Sequence, residues 1–344
     1  MTALKRHWIV ALFVPVIAAL LAPTLPTTHA EEAVSKGWQA VSPGRVEPWS
    51  GEVRIGSPAA GRIGEVLVKV NDTVFAGEAM IRIDDDEVRT RHAKAELQVR
   101  LRQRARPKLD PKADPKVAER RKREDAAFDA ERAVIAARQA VDRAAAARRA
   151  GTGDDQAVSA ARKALANARE QLRARQDELA RFEAEAPPTL PTELEGQFAM
   201  ARVDLRGAEA ALDALTIRAP IAGTVLQINV RAGELASPAA PQPLIVVGDI
   251  SKLRVRAEID ERDYGAIKLG HAVVVRSGAF PGREVAGTVS SIAPIVEGGR
   301  IGARGGRNLT DVNVAEVVID LAEAGPLAVG MKVDVFFRRQ DAKR

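Results

Sequence analysis

Two copies of one short pattern stand about 160 residues apart, and everything between them reads as helix, which narrows the possible folds more than any other feature of the chain. The first copy is SPAAGRIGEVLVKVNDTVFAGEAMIRIDD, residues 57–85, and the second is APIAGTVLQINVRAGELASPAAPQPLIVVGD, residues 219–249. In each, a proline three residues before a glycine (Pro58 and Gly61, Pro220 and Gly223) opens an alternating strand. Turns come next at Asn71-Asp72, Gly77 and Gly233. The first half carries its apolar strand positions at Ile63, Val66, Val68, Val70 and Val74, then Met80, Ile81 and Ile83; the second at Val225, Ile228 and Val230, then residues 244–247. Neither half can bury its apolar face alone. The spacing therefore predicts one small β-domain cut in two, joined at Asp84 and Thr216, with a helical antenna pushed out through the cut.

The antenna has an internal order. Helix formers fill residues 86–106, and then residues 107–115 (PKLDPKADP) stop the helix, because three prolines remove donors and clash with the preceding turn. Helix resumes near Lys116 and runs to Ala150, where Gly151-Thr152-Gly153-Asp154 supplies a tight reversal, with Asp154 or Thr152 able to cap the next helix. That helix runs to Ala186, residues 187–191 (PPTLP) break it, and a last helix covers residues 192–215. Each proline break lies about 35 residues from the reversal, so the two breaks meet at similar height when the chain folds back. Val158, Leu165, Leu172 and Leu179 recur every seven residues, facing the smaller Ala126, Ala133, Ala140 and Ala147 of the rising helix. Leu194, Ala201, Ala208 and Leu215 repeat in the same way beside Phe198, Leu205 and Leu212. These patterns predict an antiparallel coiled-coil hairpin whose two stacked sections form a rod on the order of 80 to 90 Å long.

Composition limits what such a chain does. With 46% hydrophobic and 28% charged residues it folds, but only 3% aromatic residues leave no ring-filled compact core, and an elongated molecule results. The 52 basic and 46 acidic residues are interleaved and sum to +6, which describes a solvated surface and not a nucleic-acid binder. Residues 1–30 read as an export signal: Lys5 and Arg6, an apolar run from Trp8 to Leu21, and a small-residue cleavage site at Thr28-His29-Ala30. The apolar run falls short of the roughly 20 residues that a spanning helix needs. Export without a single cysteine fits a bacterial periplasm and excludes a disulfide, a thiolate metal site and a lipid carried on an N-terminal cysteine. His7, His29, His92 and His271 are scattered, and no catalytic, cofactor or metal set is expected. The run Asp84, Asp85, Asp86 and Glu87 suits the positive end of a helix better than a cation, and residues 298–307, rich in Gly and Arg, read as a loop between strands.

Taken together, GRIGEVLVKVNDTVFAGEAMIRIDD, a helical hairpin, LTIRAPIAGTVLQINVRAGEL and GDISKLRVRAEIDERDYGAIKLG resemble the HlyD-like membrane fusion proteins, the periplasmic adaptors, over residues 44–337. The resemblance implies a multidomain α+β fold. In it a signal peptide (1–30) precedes a segment (31–56) that joins the membrane-proximal β-domain. Lipoyl-like half 1 (57–85), the hairpin (86–215, tip near 150–154) and lipoyl-like half 2 (216–249) come next, succeeded by a small β-barrel (250–290) and a membrane-proximal β-domain with the C-terminal tail (291–344). A true lipoyl or biotinyl carrier needs a lysine between its halves, and none stands at residues 84–86 or 215–218, so the carrier fold is expected without the carrier function. The implied role is an adaptor in a tripartite exporter of a Gram-negative cell, associated with the inner membrane. Its partners would be an inner-membrane transporter, ABC-type favoured over proton-driven, a TolC-like outer-membrane channel, and further copies of itself in a ring or funnel. On that reading Ala147, Arg148, Arg149, Gly151, Thr152, Gly153 and Asp154 touch the channel, although the family's Arg-x3-Leu-x6-Ser tip pattern has no full match after Arg143 or Arg148. The rival reading is a periplasm-spanning structural coiled coil with no pump.

Overall fold

The structure is a computed structural model that describes residues 37–84, 86–107, 114–185, 192–298, 313–323 and 325–339. The signal segment and most of the Gly- and Arg-rich loop fall outside these residues. The elements are β1 (Trp38–Pro48), β2 (Val53–Ile55), β3 (Gly61–Val66), β4 (Thr73–Val74), β5 (Ala79–Asp84), α1 (Asp86–Ala105), α2 (Pro115–Arg149), α3 (Asp155–Glu185) and α4 (Glu193–Ala214). After the helices come β6 (Thr216–Arg218), β7 (Gly223–Ile228), β8 (Leu235–Ala236), β9 (Ile245–Gly248), β10 (Leu253–Asp260), β11 (Ala272–Arg276), β12 (Glu284–Gly298), β13 (Asn313–Leu321) and β14 (Lys332–Arg338).

The two distant β fragments form one sandwich. Its sheets run β2-β9-β7-β4 and β6-β5-β3-β8, and each contains strands from both halves. The pairing exchanges equivalent positions: Gly61 of the first half lies opposite Ala236 of the second, and Gly223 of the second lies opposite Val74 of the first. At the insertion point Ile81 pairs with Ile217 and Arg82 with Thr216, so the helices leave and return on neighbouring strands. Ile63, Met80, Ile81, Val225, Ile245 and Val247 are all fully buried in a shared core. Val70, expected in that core, stands half exposed beside the Asn71-Asp72 turn, where Asn71 takes a left-handed φ of 74° and the Lys69 amide donates to Asp72 Oδ2 at 2.8 Å.

The remaining strands correct one expectation. A small barrel over residues 250–290 and a separate membrane-proximal domain after it do not exist among the described residues, because a single closed barrel, β1-β10-β13-β12-β11-β14, uses strands from both regions. The expected boundary near residue 290 falls inside β12, which pairs with β11 through Val275↔Val285 and with β13 through Val289↔Ile319. Alternation then gives every strand one inward row, and Val46, Val255, Val273, Val317, Val335 and Phe337 meet in one core. The early segment does join the C-terminal strands, since Ala40 pairs with Phe337 and Gly44 with Val333.

The helices require the larger correction. Their ends obey the prolines, glycines and caps: Asp114 accepts from the Val117 amide at 3.1 Å with Pro115 at the first position, Thr192 accepts from the Glu195 amide at 3.4 Å, and Asp154 accepts from the Ala157 amide at 2.8 Å. The expected partners also pair. Arg102 bonds Gln197 between α1 and α4, and Arg123 donates to the Glu178 carbonyl between α2 and α3. The two sections, however, are not stacked end to end. The α2–α3 pair folds back alongside α1 and α4, so that the Gly-Thr-Gly reversal returns to the sandwich it was expected to leave far behind.

Four ion pairs establish this direction. Asp125–Arg202, Glu131–Arg206, Arg138–Asp213 and Asp142–Arg218 are separated by 77, 75, 75 and 76 residues. A near-constant offset requires α2 and α4 to run parallel, both descending toward the sandwich. In an extended rod Asp142 would sit about 40 Å beyond the joint and away from Arg218. Phe128 of α2 is accordingly buried with Ala95 and Val99 of α1 and Phe198, Ala201 and Leu205 of α4. The heptads describe only the seams inside each section and are blind to the second face of α2, whose charges complement those of α4.

Candidate interaction site at the arm tip

The α2–α3 pair forms an arm about 50 Å long, with its tip at the reversal. Locally the tip is built as the residue types dictate. The Ala147 carbonyl accepts from the Thr152 and Gly153 amides and from the Thr152 hydroxyl, and Gly151 supplies a left-handed φ of 73° that a side chain would strain. Asp154 then starts α3. Five of the seven residues expected to meet a channel, Ala147, Gly151, Thr152, Gly153 and Asp154, are thus occupied in forming the turn.

Arg148 and Arg149 do something the sequence did not suggest. Both donate to Oε1 of Glu78 in the sandwich, at 3.2 and 2.5 Å. Arg149 also reaches the Ala79 carbonyl at 2.9 Å and Arg148 the Thr73 carbonyl at 3.3 Å. Glu78 is completely buried. Around this contact Phe75 packs against Val141, Ala145 and Val158, while the Arg162 guanidinium lies 4.7 Å above the Phe75 ring. Arg218 and Asp142 add a bidentate pair at 2.7 and 2.9 Å on the same side of the sandwich. Burial disfavours the Arg218 cation, but the Asp142 hydrogen bonds and the nearby Asp213 outweigh it and raise its pKa.

The opposite end of the arm is held where α1 ends and α4 begins. Arg106 bonds both Glu195 and Asp125, and Arg202 bonds Asp125 at 2.5 Å; each guanidinium also stacks on the Phe198 ring. Burial lowers the pKa of Arg202 despite the Asp125 bond, whereas in Arg106 the bonds to Glu195 and Asp125 overcome burial and raise it. Between the two ends, the arm and the base of the hairpin enclose a cleft of about 590 Å³ bordered by His92, Glu96, Arg132, Arg138 and Glu209. This interface is charged and open, unlike the close-packed sandwich.

The predicted structural turns take their places in the sandwich. Pro58 stands between β2 and β3 and Pro220 between β6 and β7. A Cβ at Gly223 would come within 2.7 Å of the Gly248 carbonyl oxygen, and one at Gly61 would strike Ile83. Gly77 and Gly233 hold φ of 86° and 93° in turns of the same sequence, Ala-Gly-Glu. In each, the glutamate closes the turn by accepting from an amide three residues earlier: Glu78 from Phe75 and Glu234 from Arg231, both at 3.0 Å. Glu234 is exposed, and only Glu78 is covered. The signal that could have paired the two glutamates is the repeated Ala-Gly-Glu, but nothing in the sequence distinguishes Glu78 as the one that receives the tip.

Among the described residues no cluster of His, Asp and Glu has the arrangement of a metal site, and no helix is long and apolar enough to cross a membrane.

A split sandwich that carries inserted helices beside a closed β-barrel defines the class of the membrane fusion proteins. The model of the family described as RND MFP, barrel-sandwich hybrid domain, matches residues 51–248, and the chain belongs to this family, a non-catalytic adaptor class. Among solved structures, MacA from Actinobacillus actinomycetemcomitans is similar over 87% of this chain and 78% of its own, with a TM-score of 0.50 and 18% identity. A MacA-MexA chimera containing the Pseudomonas aeruginosa MexA α-hairpin is similar over 88% and 79%, with a TM-score of 0.51 and 18% identity. The membrane fusion protein Spr0693 from Streptococcus pneumoniae R6 is similar over 88% of this chain and all of its own, with a TM-score of 0.47 and 20% identity.

Proposed function

We propose that this chain is a periplasmic adaptor of a tripartite exporter, joining an inner-membrane transporter to a TolC-like outer-membrane channel in a Gram-negative cell, with several copies side by side in the assembled complex. The observation that carries the reading is the rejoined sandwich. Ile81 opposite Ile217 leaves the helices as an insertion whose two ends are anchored on one rigid platform, and the family match spans the same region. Such a part moves or spaces other proteins and makes no bonds. The barrel and its neighbouring tail face the transporter, and the arm tip, Ala147 to Asp154, is the channel contact when it is released from the sandwich. An ABC-type transporter is favoured because no cysteine is present to carry a lipid; the RND label of the matching family names the proton-driven alternative.

In-cell photocrosslinking tests the assignment. Ala150, exposed at the tip, is the position for the photoreactive residue, since Arg149 is tucked against Glu78. Capture of an outer-membrane barrel supports the adaptor, and capture of this chain alone supports the structural rival. Co-purification of the full chain with an ATPase subunit decides the transporter class.

A further inference from the structure

The pseudo-symmetry of the sandwich supplies an internal control for the role of Glu78. Glu78 and Glu234 stand in equivalent Ala-Gly-Glu turns and perform the same local task at the same distance. Turn closure therefore explains neither the burial of Glu78 nor its two arginines, because Glu234 closes its turn while exposed. What distinguishes Glu78 is the arm. We propose that Glu78 is an internal seat for the arm tip, holding Arg148 and Arg149 against the sandwich until a carboxylate-bearing partner surface takes those two arginines over.

Three features make the contact exchangeable. The arm has its own internal seam, with α2 and α3 joined through Val141, Ala145 and Val158, a cluster that Phe75 of the sandwich completes. Beside the packing of Phe128 and Phe75 it meets the rest of the molecule through an open cleft and ion pairs such as Arg132–Glu96, Arg138–Asp213 and Arg206–Glu131, and ion pairs at least partly open to solvent add little to the closed state. Finally, Glu78, Arg148 and Arg149 satisfy one another in the closed state, and departure of the arm returns all three to water, so a partner carboxylate can replace Glu78 without leaving a charge buried and unpaired. The inference rests on the adaptor reading only for what the freed tip meets; the latch itself belongs to the isolated chain.

The absence of native cysteine allows a direct test on the full-length protein. Spin labels are placed through Ala150→Cys in the tip and Lys69→Cys in the sandwich, both exposed, and their separation is read by pulsed electron resonance. Wild type should give one short distance. Glu78→Gln, and separately Arg148→Gln with Arg149→Gln, should raise the population of long distances at least ten-fold, by several tens of ångströms given an arm about 50 Å long, while Glu234→Gln leaves the distribution unchanged. Poly-L-glutamate should open the wild type more than sodium chloride of equal ionic strength and should add nothing to the double arginine variant. The latch is overturned if the arginine variant stays closed, which holds even if Glu78→Gln misfolds, or if Glu234→Gln opens the arm equally. Equal action of poly-L-glutamate and salt overturns the carboxylate-bearing partner. None of these readings involves a transporter or channel, so failure here and failure of the exporter assignment are distinguishable.

Discussion

Glycine at position 223 is required by distance and not by backbone angle, because a Cβ there would lie 2.7 Å from the Gly248 carbonyl oxygen and 3.2 Å from the Asp249 amide. Gly223→Ala should therefore push β7 from β9 and cost about 1–3 kcal/mol in urea denaturation, in the range of small overpacking substitutions. Gly278→Ala, with nothing within 4 Å, should leave the midpoint unchanged. A second residue-scale expectation concerns pH. Burial raises the pKa of Glu124 above its ordinary 4.5, with Arg202 and Arg120 opposing the rise. A carboxyl raised on folding contributes most below its unfolded pKa and loses that contribution as pH climbs through the folded value. Glu124→Gln should thus raise the melting temperature at pH 7 and make no difference at pH 3, as read by circular dichroism.

At the scale of elements, the α1–α4 seam and its outer faces make opposite predictions. Leu205 is fully buried against Phe128 and Val99, so Leu205→Ala should cost about 2–5 kcal/mol of unfolding free energy. Leu97, on the far side of α1, is 55% exposed, and Leu97→Ala should stay within about 0.5 kcal/mol. Helix ends were legible in the sequence because prolines, glycines and capping residues act over three or four positions, as at Asp114-Pro115 and Gly151. The barrel was less legible. The alternation of Leu253, Val255, Ala257 and Ile259 is that of a half-buried strand, but which strand pairs with which depends on partners far away, and β12 serves two neighbours.

At the scale of the molecule, the helices are an insertion that the β-domains do not need for their own closure. Arg82 and Thr216 are paired neighbours, so replacing residues 86–214 by a four-residue turn bridges a gap that adjacent strands already span. The shortened protein should keep its β-type circular dichroism and cooperative melting, because the cores built around Ile81 and Val225 and around Val255 and Phe337 contain little from the helices. On the proposed adaptor role, export should be abolished in cells carrying it. Loss of cooperative melting would show that the arm holds the sandwich together, not only itself.

The sequence alone determined the two halves of the sandwich and the ends of the four helices, because each depends on short-range chemistry: alternation, turn residues and caps. Tertiary structure decided the two things that local patterns do not encode. It merged the expected barrel and membrane-proximal domain into one barrel, since closure is a property of all six strands together. It also laid the arm down along α4 and onto Glu78, since a heptad reports a seam between two helices, while the choice between an extended and a folded-back arm depends on charges 70 to 77 residues apart finding one another.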